Sequence, residues 1–127
     1  MIKLNEQIKF NIFSFTSTFA RSLIEIFISL YLLSNTNPYT HEFICNSELL
    51  NIVDGFVFSY QEHQIKPYVG IYNTLIDRYA LKPLETLFID DNQKNIDTGN
   101  KIGFISKKVE PDNYDSIISV IEKLNLL

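Results

Sequence analysis

The sequence predicts an α/β fold: a three-layer α/β/α sandwich on a five-stranded, mostly parallel sheet. Short apolar runs alternate with segments of helical periodicity five times along 127 residues, the pattern of successive β-α units. The runs are nearly continuous in apolar residues, as in strands buried on both faces. Polar residues gather at the ends of successive runs, and in a parallel sheet those ends share one edge.

Taken in order, QIKFNIFS (7–14) reads as a short buried strand rich in Ile and Phe. SFTST (14–18) breaks it with hydroxyls. A helix is expected over 18–27, with Phe19, Leu23, Ile26 and Phe27 at helical spacing. Residues 28–33 make the second strand, and Ser34-Asn35-Thr36-Asn37-Pro38 a polar turn. A helix over 39–51 turns Phe43, Ile44 and Leu50 inward. DGFVFSYQ (54–61) is the third strand, entered by an Asp-Gly turn. Pro67 suits the first turn of the next helix. That helix, 68–80, buries Val69, Tyr72, Leu75, Ile76 and Tyr79 and ends at Lys82-Pro83. The fourth strand covers 86–90. A helix over 93–101 stops near Gly103, and Phe104-Ile105-Ser106 form the fifth strand. A charged loop over 107–112 leads to a last helix, 113–125, that buries Ile117, Ile118, Val120, Ile121 and Leu124. No repeat, low-complexity tract or linker interrupts the series, so 1–127 reads as one domain.

Composition narrows the function classes. Hydrophobic residues make up 46% of the chain, which excludes disorder on compositional grounds. A net charge of −4 leaves no basic footprint, so no nucleic-acid partner is expected. The apolar stretch 19–33 contains Arg21, Ser22, Glu25 and Ser29, short of the roughly 18 uninterrupted apolar residues of a membrane span, so no membrane partner is expected. Lys3 and Lys9 make a basic start, but Glu6 intervenes and no small-residue cleavage site follows the apolar run. The single cysteine, Cys45, excludes an internal disulfide. It reads as a small buried hydrophobe, and the cytoplasm is the default compartment.

The chemistry concentrates in LETLFIDDNQKNI (84–96). A buried strand delivers two adjacent carboxylates, Asp90 and Asp91, at its tip. Neighbouring acids repel and cost desolvation, so the pair reads either as a cation or acid–base site or as Asp91 or Asn92 capping a helix. Ser14, Thr16 and Thr18, then Ser34 and Asn35, then Lys66, fall at the other tips. Each alone has a plainer reading: a turn or cap for Ser34-Asn35, a solvated lysine for Lys66. Together they suit a phosphate held by donors and an ammonium beside a hard divalent cation.

YLLSNTN, IKPYVGIYNTLIDRYALKPLETLFIDDNQKNI and GNKIGF resemble the haloacid dehalogenase-like (HAD) hydrolase superfamily in order and spacing, from Tyr31 to Phe104. The resemblance implies a Rossmann-like sheet in strand order 5-4-1-2-3 and a magnesium-dependent phosphatase working through an aspartyl-phosphate. It implies that Ser34 binds the transferred phosphoryl group, that Asn35 adds its backbone, that Lys66 neutralises phosphate and nucleophile, and that Asp90 ligates magnesium beside Asp91.

The chain departs from that family in two places. The family's first motif is a strand ending in Asp-x-Asp-Gly-Thr. Here IKFNIFSFTST puts Ser14 at the nucleophile and Thr16 at the acid–base position. No Asp or Glu lies between Glu6 and Glu25. A serine with no base beside it is a poor nucleophile, and magnesium is expected to bind weakly. Secondly, about sixteen residues separate Ser17 from Ser34, where relatives usually insert a helical cap domain that closes the site. Three readings follow: a phosphatase-type hydrolase impaired or inactive at its nucleophile, a non-catalytic pseudoenzyme that binds a phosphorylated small molecule or partner, and a truncated remnant. Substrate and oligomeric state are not encoded in any motif.

Overall fold

The computed structural model describes residues 9–11, 29–110 and 113–123. Its strands are β1 (Lys9–Asn11), β2 (Ser29–Ser34), β3 (Gly55–Phe58), β4 (Thr86–Asp90) and β5 (Ile105–Lys108). Its helices are α1 (Pro38–Cys45), α2 (Leu49–Ile52), α3 (Ser59–Glu62), α4 (Val69–Tyr79), α5 (Gln93–Ile102) and α6 (Tyr114–Lys123), with a 3-10 turn at Pro83–Glu85. Every strand pair is parallel, in the order β3-β2-β1-β4-β5. The helix expected over 18–27 lies outside the described residues.

Alternation along the strands explains the apolar runs. On β2, Tyr31 and Leu33 join Val57, Ile71, Tyr72, Leu75, Phe88, Ile96 and Phe104 in one core cluster. Leu30 and Leu32 point the other way and are buried as well. On β4, Phe88 enters that cluster between Leu87 and Ile89, both buried on the opposite side. Strands buried on both faces need no polar alternation.

Helix α5 follows its sequence signals closely. Asn92 caps it, its side chain accepting from Lys94 N at 2.9 Å, and Gly103 ends it at φ 107°, a left-handed conformation that favours glycine.

The segment 39–51 is not one helix. Ser47 Oγ donates to Ile44 O at 2.6 Å, taking the carbonyl that a continuing helix would use. The helix therefore stops at Cys45 and resumes at Leu49. Phe43 is not inward but 77% exposed, because two turns of α1 lie over the sheet end with only Ile44 and His41 half-buried. Cys45, read as buried, is exposed for the same reason.

Pro67 precedes α4 instead of entering its first turn; Tyr68 is the N-cap. Val69, at the helix start, is exposed rather than buried. The helix ends before Lys82-Pro83. Ala80 turns left-handed at φ 50°, and Leu81 N reaches Ile76 O at 3.0 Å. Lys107 and Lys108 belong to β5, not to a loop, with both side chains exposed. In α6, Ile118 and Val120 are half-buried. Leu124 and the side chains of Ile117 and Ile121 lie outside the described residues.

One contact fixes α4 on β3. The Tyr79 hydroxyl accepts from Phe56 N at 2.9 Å and donates to Phe56 O at 3.0 Å. Its ring lies where a Cβ on residue 55 would stand, so Gly55 is what admits it. Among the described residues no helix is long and apolar enough to cross a membrane.

Candidate functional site

Parallel pairing brings the C-terminal tips of β2 and β4 to the same edge of the sheet. Ser34 ends β2 and is buried. Asp90 ends β4 and is 1% exposed. Lys66, on the loop between α3 and α4, is 3% exposed. Its Nζ donates to Asp90 Oδ2 at 2.7 Å and to Leu33 O at 2.9 Å. The ammonium thus lies between the second and fourth strand tips, on the carbonyl of the residue that precedes Ser34.

Asp90 is held on both oxygens. Oδ1 accepts from Asn92 N at 2.8 Å, and Asn95 Nδ2 stands 3.2 Å from both Oδ1 and Oδ2. An ion pair out of water survives only when its remaining lone pairs are satisfied in this way. Burial lowers the Lys66 pKa, and the charge of Asp90 works against that loss. Burial, and then the negative charge of Asp90, raise the Tyr72 phenol above its ordinary range.

The loop carrying Lys66 is pinned from both sides. Asn35 Oδ1 accepts from Lys66 N at 2.8 Å, and Asn35 Nδ2 donates to Lys66 O at 3.0 Å. Thr98 Oγ1 donates to Pro67 O at 2.7 Å. Ser59 Oγ ties the neighbouring Thr36 backbone through both N (2.7 Å) and O (3.1 Å). The expectation for Asn35 concerns its backbone; its side chain clamps the Lys66 backbone. Asn35→Ala is expected to lower stability by about 1–3 kcal/mol, two hydrogen bonds' worth, in urea denaturation.

Asp91 is half-buried beside Asp90. Burial and then the Asp90 charge raise its pKa. A carboxyl whose pKa is higher folded than unfolded favours the folded state most when protonated. In chelator, stability is therefore expected to rise as the pH falls from neutral through the Asp91 titration. Thermal melts across that range should show the slope in the parent and its loss in Asp91→Asn.

The donor chemistry fits magnesium in part. Two adjacent carboxylates supply hard oxygens and a charge that a cation would relieve, and magnesium commonly binds through one or two carboxylates while keeping several waters. Among the described residues no group of three His, Cys, Asp or Glu side chains could hold a metal. Ser14 and Thr16, the nucleophile and acid–base positions, lie outside the described residues.

Sequence reasoning missed Asn95, Thr98 and Tyr72. Asn95 falls in the first turn of α5, where a side chain can point back at the strand tip; its place five residues after Asp90 was a readable signal. Tyr72 OH donates to Asn95 O at 2.9 Å, a long-range pairing with no local trace.

No family model matches the chain. It is 36% identical over 91 residues to a D-ribitol-5-phosphate phosphatase of Bacteroides thetaiotaomicron, covering 66% of this chain and 43% of that protein. The structure of a predicted HAD-like family hydrolase from Porphyromonas gingivalis superposes with a TM-score of 0.76 at 27% identity, over 88% of this chain and 58% of the other. A HAD family enzyme from Bacteroides thetaiotaomicron, in complex with magnesium and inorganic phosphate, superposes with a TM-score of 0.70 at 24% identity, over 76% and 52%. The chain thus spans less than half of the curated relative and a little over half of each of the two solved structures. The buried lysine–aspartate pair at parallel strand tips and these likenesses agree: the chain belongs to the haloacid dehalogenase-like superfamily.

Proposed function

We propose that this chain binds a phosphorylated small molecule at the Ser34–Lys66–Asp90 edge, and that its phosphatase turnover is impaired or absent because Ser14 replaces the nucleophilic aspartate. The observation that carries the binding reading is the Lys66–Asp90 pair, an ammonium 3% exposed and held 2.7 Å from a carboxylate at the strand tips. In this reading Ser34 donates its hydroxyl to the phosphoryl oxygens, and Lys66 offsets their charge. Asn35 and Thr98 hold the lysine loop in place. Asp90 and Asp91 are the residues that would hold a weakly bound magnesium, which when bound supplies charge stabilisation to the phosphoryl group.

Impairment is supported by sequence. Ser14 follows β1 by three residues, and β1 lies between β2 and β4, the strands ending in Ser34 and Asp90. A neutral hydroxyl there supplies neither an activated nucleophile nor a metal ligand. The same substitutions support a pseudoenzyme that holds its ligand without turnover. We take the domain as a three-layer α/β/α sandwich on a five-stranded sheet with no cap domain between residues 17 and 34. The free Cys45 thiol accords with a reducing compartment such as the cytoplasm.

The test pairs binding with turnover. A linear sugar-alcohol phosphate, the substrate class in the curated relative's name, is titrated calorimetrically with millimolar magnesium, and a generic aryl phosphate is assayed with and without the metal. Binding that Lys66→Met removes, with no magnesium-dependent turnover above background, is expected. Turnover that survives Asp90→Asn and is lost in Ser14→Ala would make serine a competent nucleophile and overturn the reading of impairment.

A further inference from the structure

We propose that Tyr72 and Thr98 are positioning residues for the phosphate site, forming a reciprocal clamp that holds Lys66 and Asp90 in register. The inference rests on the phosphate-binding reading above. Lys66 lies just ahead of α4 and Asp90 just ahead of α5. The placing of ammonium against carboxylate therefore depends on how the two helices sit together. Two hydrogen bonds cross between them, one from each side. Tyr72 OH, on α4, donates to Asn95 O on α5 at 2.9 Å. Thr98 Oγ1, on α5, donates to Pro67 O on the loop entering α4 at 2.7 Å. Both act through a backbone carbonyl.

The residues that own those carbonyls give the clamp its effect. Pro67 follows Lys66 in the chain. Asn95 is the residue whose Nδ2 stands 3.2 Å from both oxygens of Asp90. That separation is at the long end of the range for an N–H···O bond, so a small displacement of the first turn of α5 takes Asn95 out of reach. The same displacement would move Asn92 N, which donates to Asp90 Oδ1 at 2.8 Å. The Tyr72 ring is a rigid mount for its hydroxyl. It is wholly buried and meets the Phe88 ring edge-on at 5.5 Å and the Phe104 ring at 6.4 Å. Phe88 belongs to β4, the strand that ends in Asp90. A core tyrosine needs some acceptor for its hydroxyl; here the acceptor is the residue that grips the carboxylate.

The test begins in the ligand-free, isotope-labelled full chain. The side-chain amide resonances of Asn95, identified by their loss in Asn95→Ala, report its bond to Asp90. Tyr72→Phe keeps the ring and removes only the hydroxyl. It is expected to move those resonances, which loss of a merely structural hydroxyl would leave in place. Inorganic phosphate is then titrated calorimetrically in millimolar magnesium. Tyr72→Phe and Thr98→Val are each expected to weaken binding about tenfold, and Tyr72→Phe should add nothing in the Asn95→Ala background. Thermal melts establish that the variants are folded. Should Tyr72→Phe not fold, Thr98→Val is read on the same resonances. Resonances that stay in place overturn the clamp, as does an equal loss of affinity from Tyr72→Phe with and without Asn95. Phosphate that fails to bind the parent sinks the binding reading instead, and the Asn95 resonances still decide the clamp.

Discussion

Asp90→Ala is expected to cost about 3–5 kcal/mol, because it takes the opposite charge away from an ammonium buried out of water. Domains of this size hold roughly 5–15 kcal/mol in total, so the variant should unfold at far lower urea. Lys66→Met should cost a similar amount by leaving the buried carboxylate, still hydrogen-bonded to Asn92 and Asn95, without its counter-charge. The double variant Lys66→Met/Asp90→Leu removes both charges and should recover most of the loss. The double-mutant cycle then reads a large coupling energy. The deficit of Asp90→Ala also has a definite pH dependence. Burial already lowers the Lys66 pKa, and Asp90 opposes that effect; without Asp90 the folded-state pKa falls further. A base with a depressed folded pKa destabilises the fold when charged, so the deficit should shrink as pH rises and grow as pH falls. A cost below about 1 kcal/mol, the range of an exposed pair, would contradict the burial described.

The second large effect is a gain. Ser14→Asp with Thr16→Asp should restore magnesium binding by returning carboxylate oxygens to the first motif. Without metal, three or more acids would crowd one crevice, so the repaired protein should melt below the parent in chelator. With magnesium at about 100 times its dissociation constant, mass action returns roughly 2.7 kcal/mol, and the parent should gain little. Turnover of an aryl phosphate should rise on the order of a thousand-fold or more, given what loss of a nucleophile costs in other catalytic units. If magnesium shifts neither protein, the SFTST register is misplaced and Ser14 leaves the site.

The strand tips were legible because they are local. Leu87-Phe88-Ile89 is an apolar run that ends abruptly in two acids, and Asn92 and Gly103 bracket α5 with cap chemistry that needs no partner elsewhere. The strand order followed from the family resemblance. The Lys66–Asp90 contact was legible as convergence on one edge, but its geometry was not. Asn35 shows why. Its side chain reaches a backbone 31 residues away, and no local pattern distinguishes that from a turn residue. The break after Cys45 was readable in Asn46-Ser47, which compete with the backbone for hydrogen bonds; helical periodicity across 39–51 masked it. Phe43, Val69 and Cys45 failed for a shared reason. Periodicity gives a helix an apolar stripe, but whether the sheet extends beneath a given turn is a tertiary fact.

The Tyr79 contact bears on how the molecule behaves in company. Among the described residues β3 is the outermost strand on its side of the sheet, and a bare outer strand offers its backbone to any other chain as a template for pairing. Here the phenol occupies both the N–H and the C=O of Phe56, so a neighbouring strand finds neither group free. The opposite margin is guarded differently, by the exposed Lys107 and Lys108 of β5, whose charges repel a second copy of themselves. One margin is blocked sterically and the other electrostatically. The steric guard is indifferent to salt, whereas the lysine guard weakens as ionic strength rises. Strand-to-strand self-association, where salt provokes it, would therefore begin at β5.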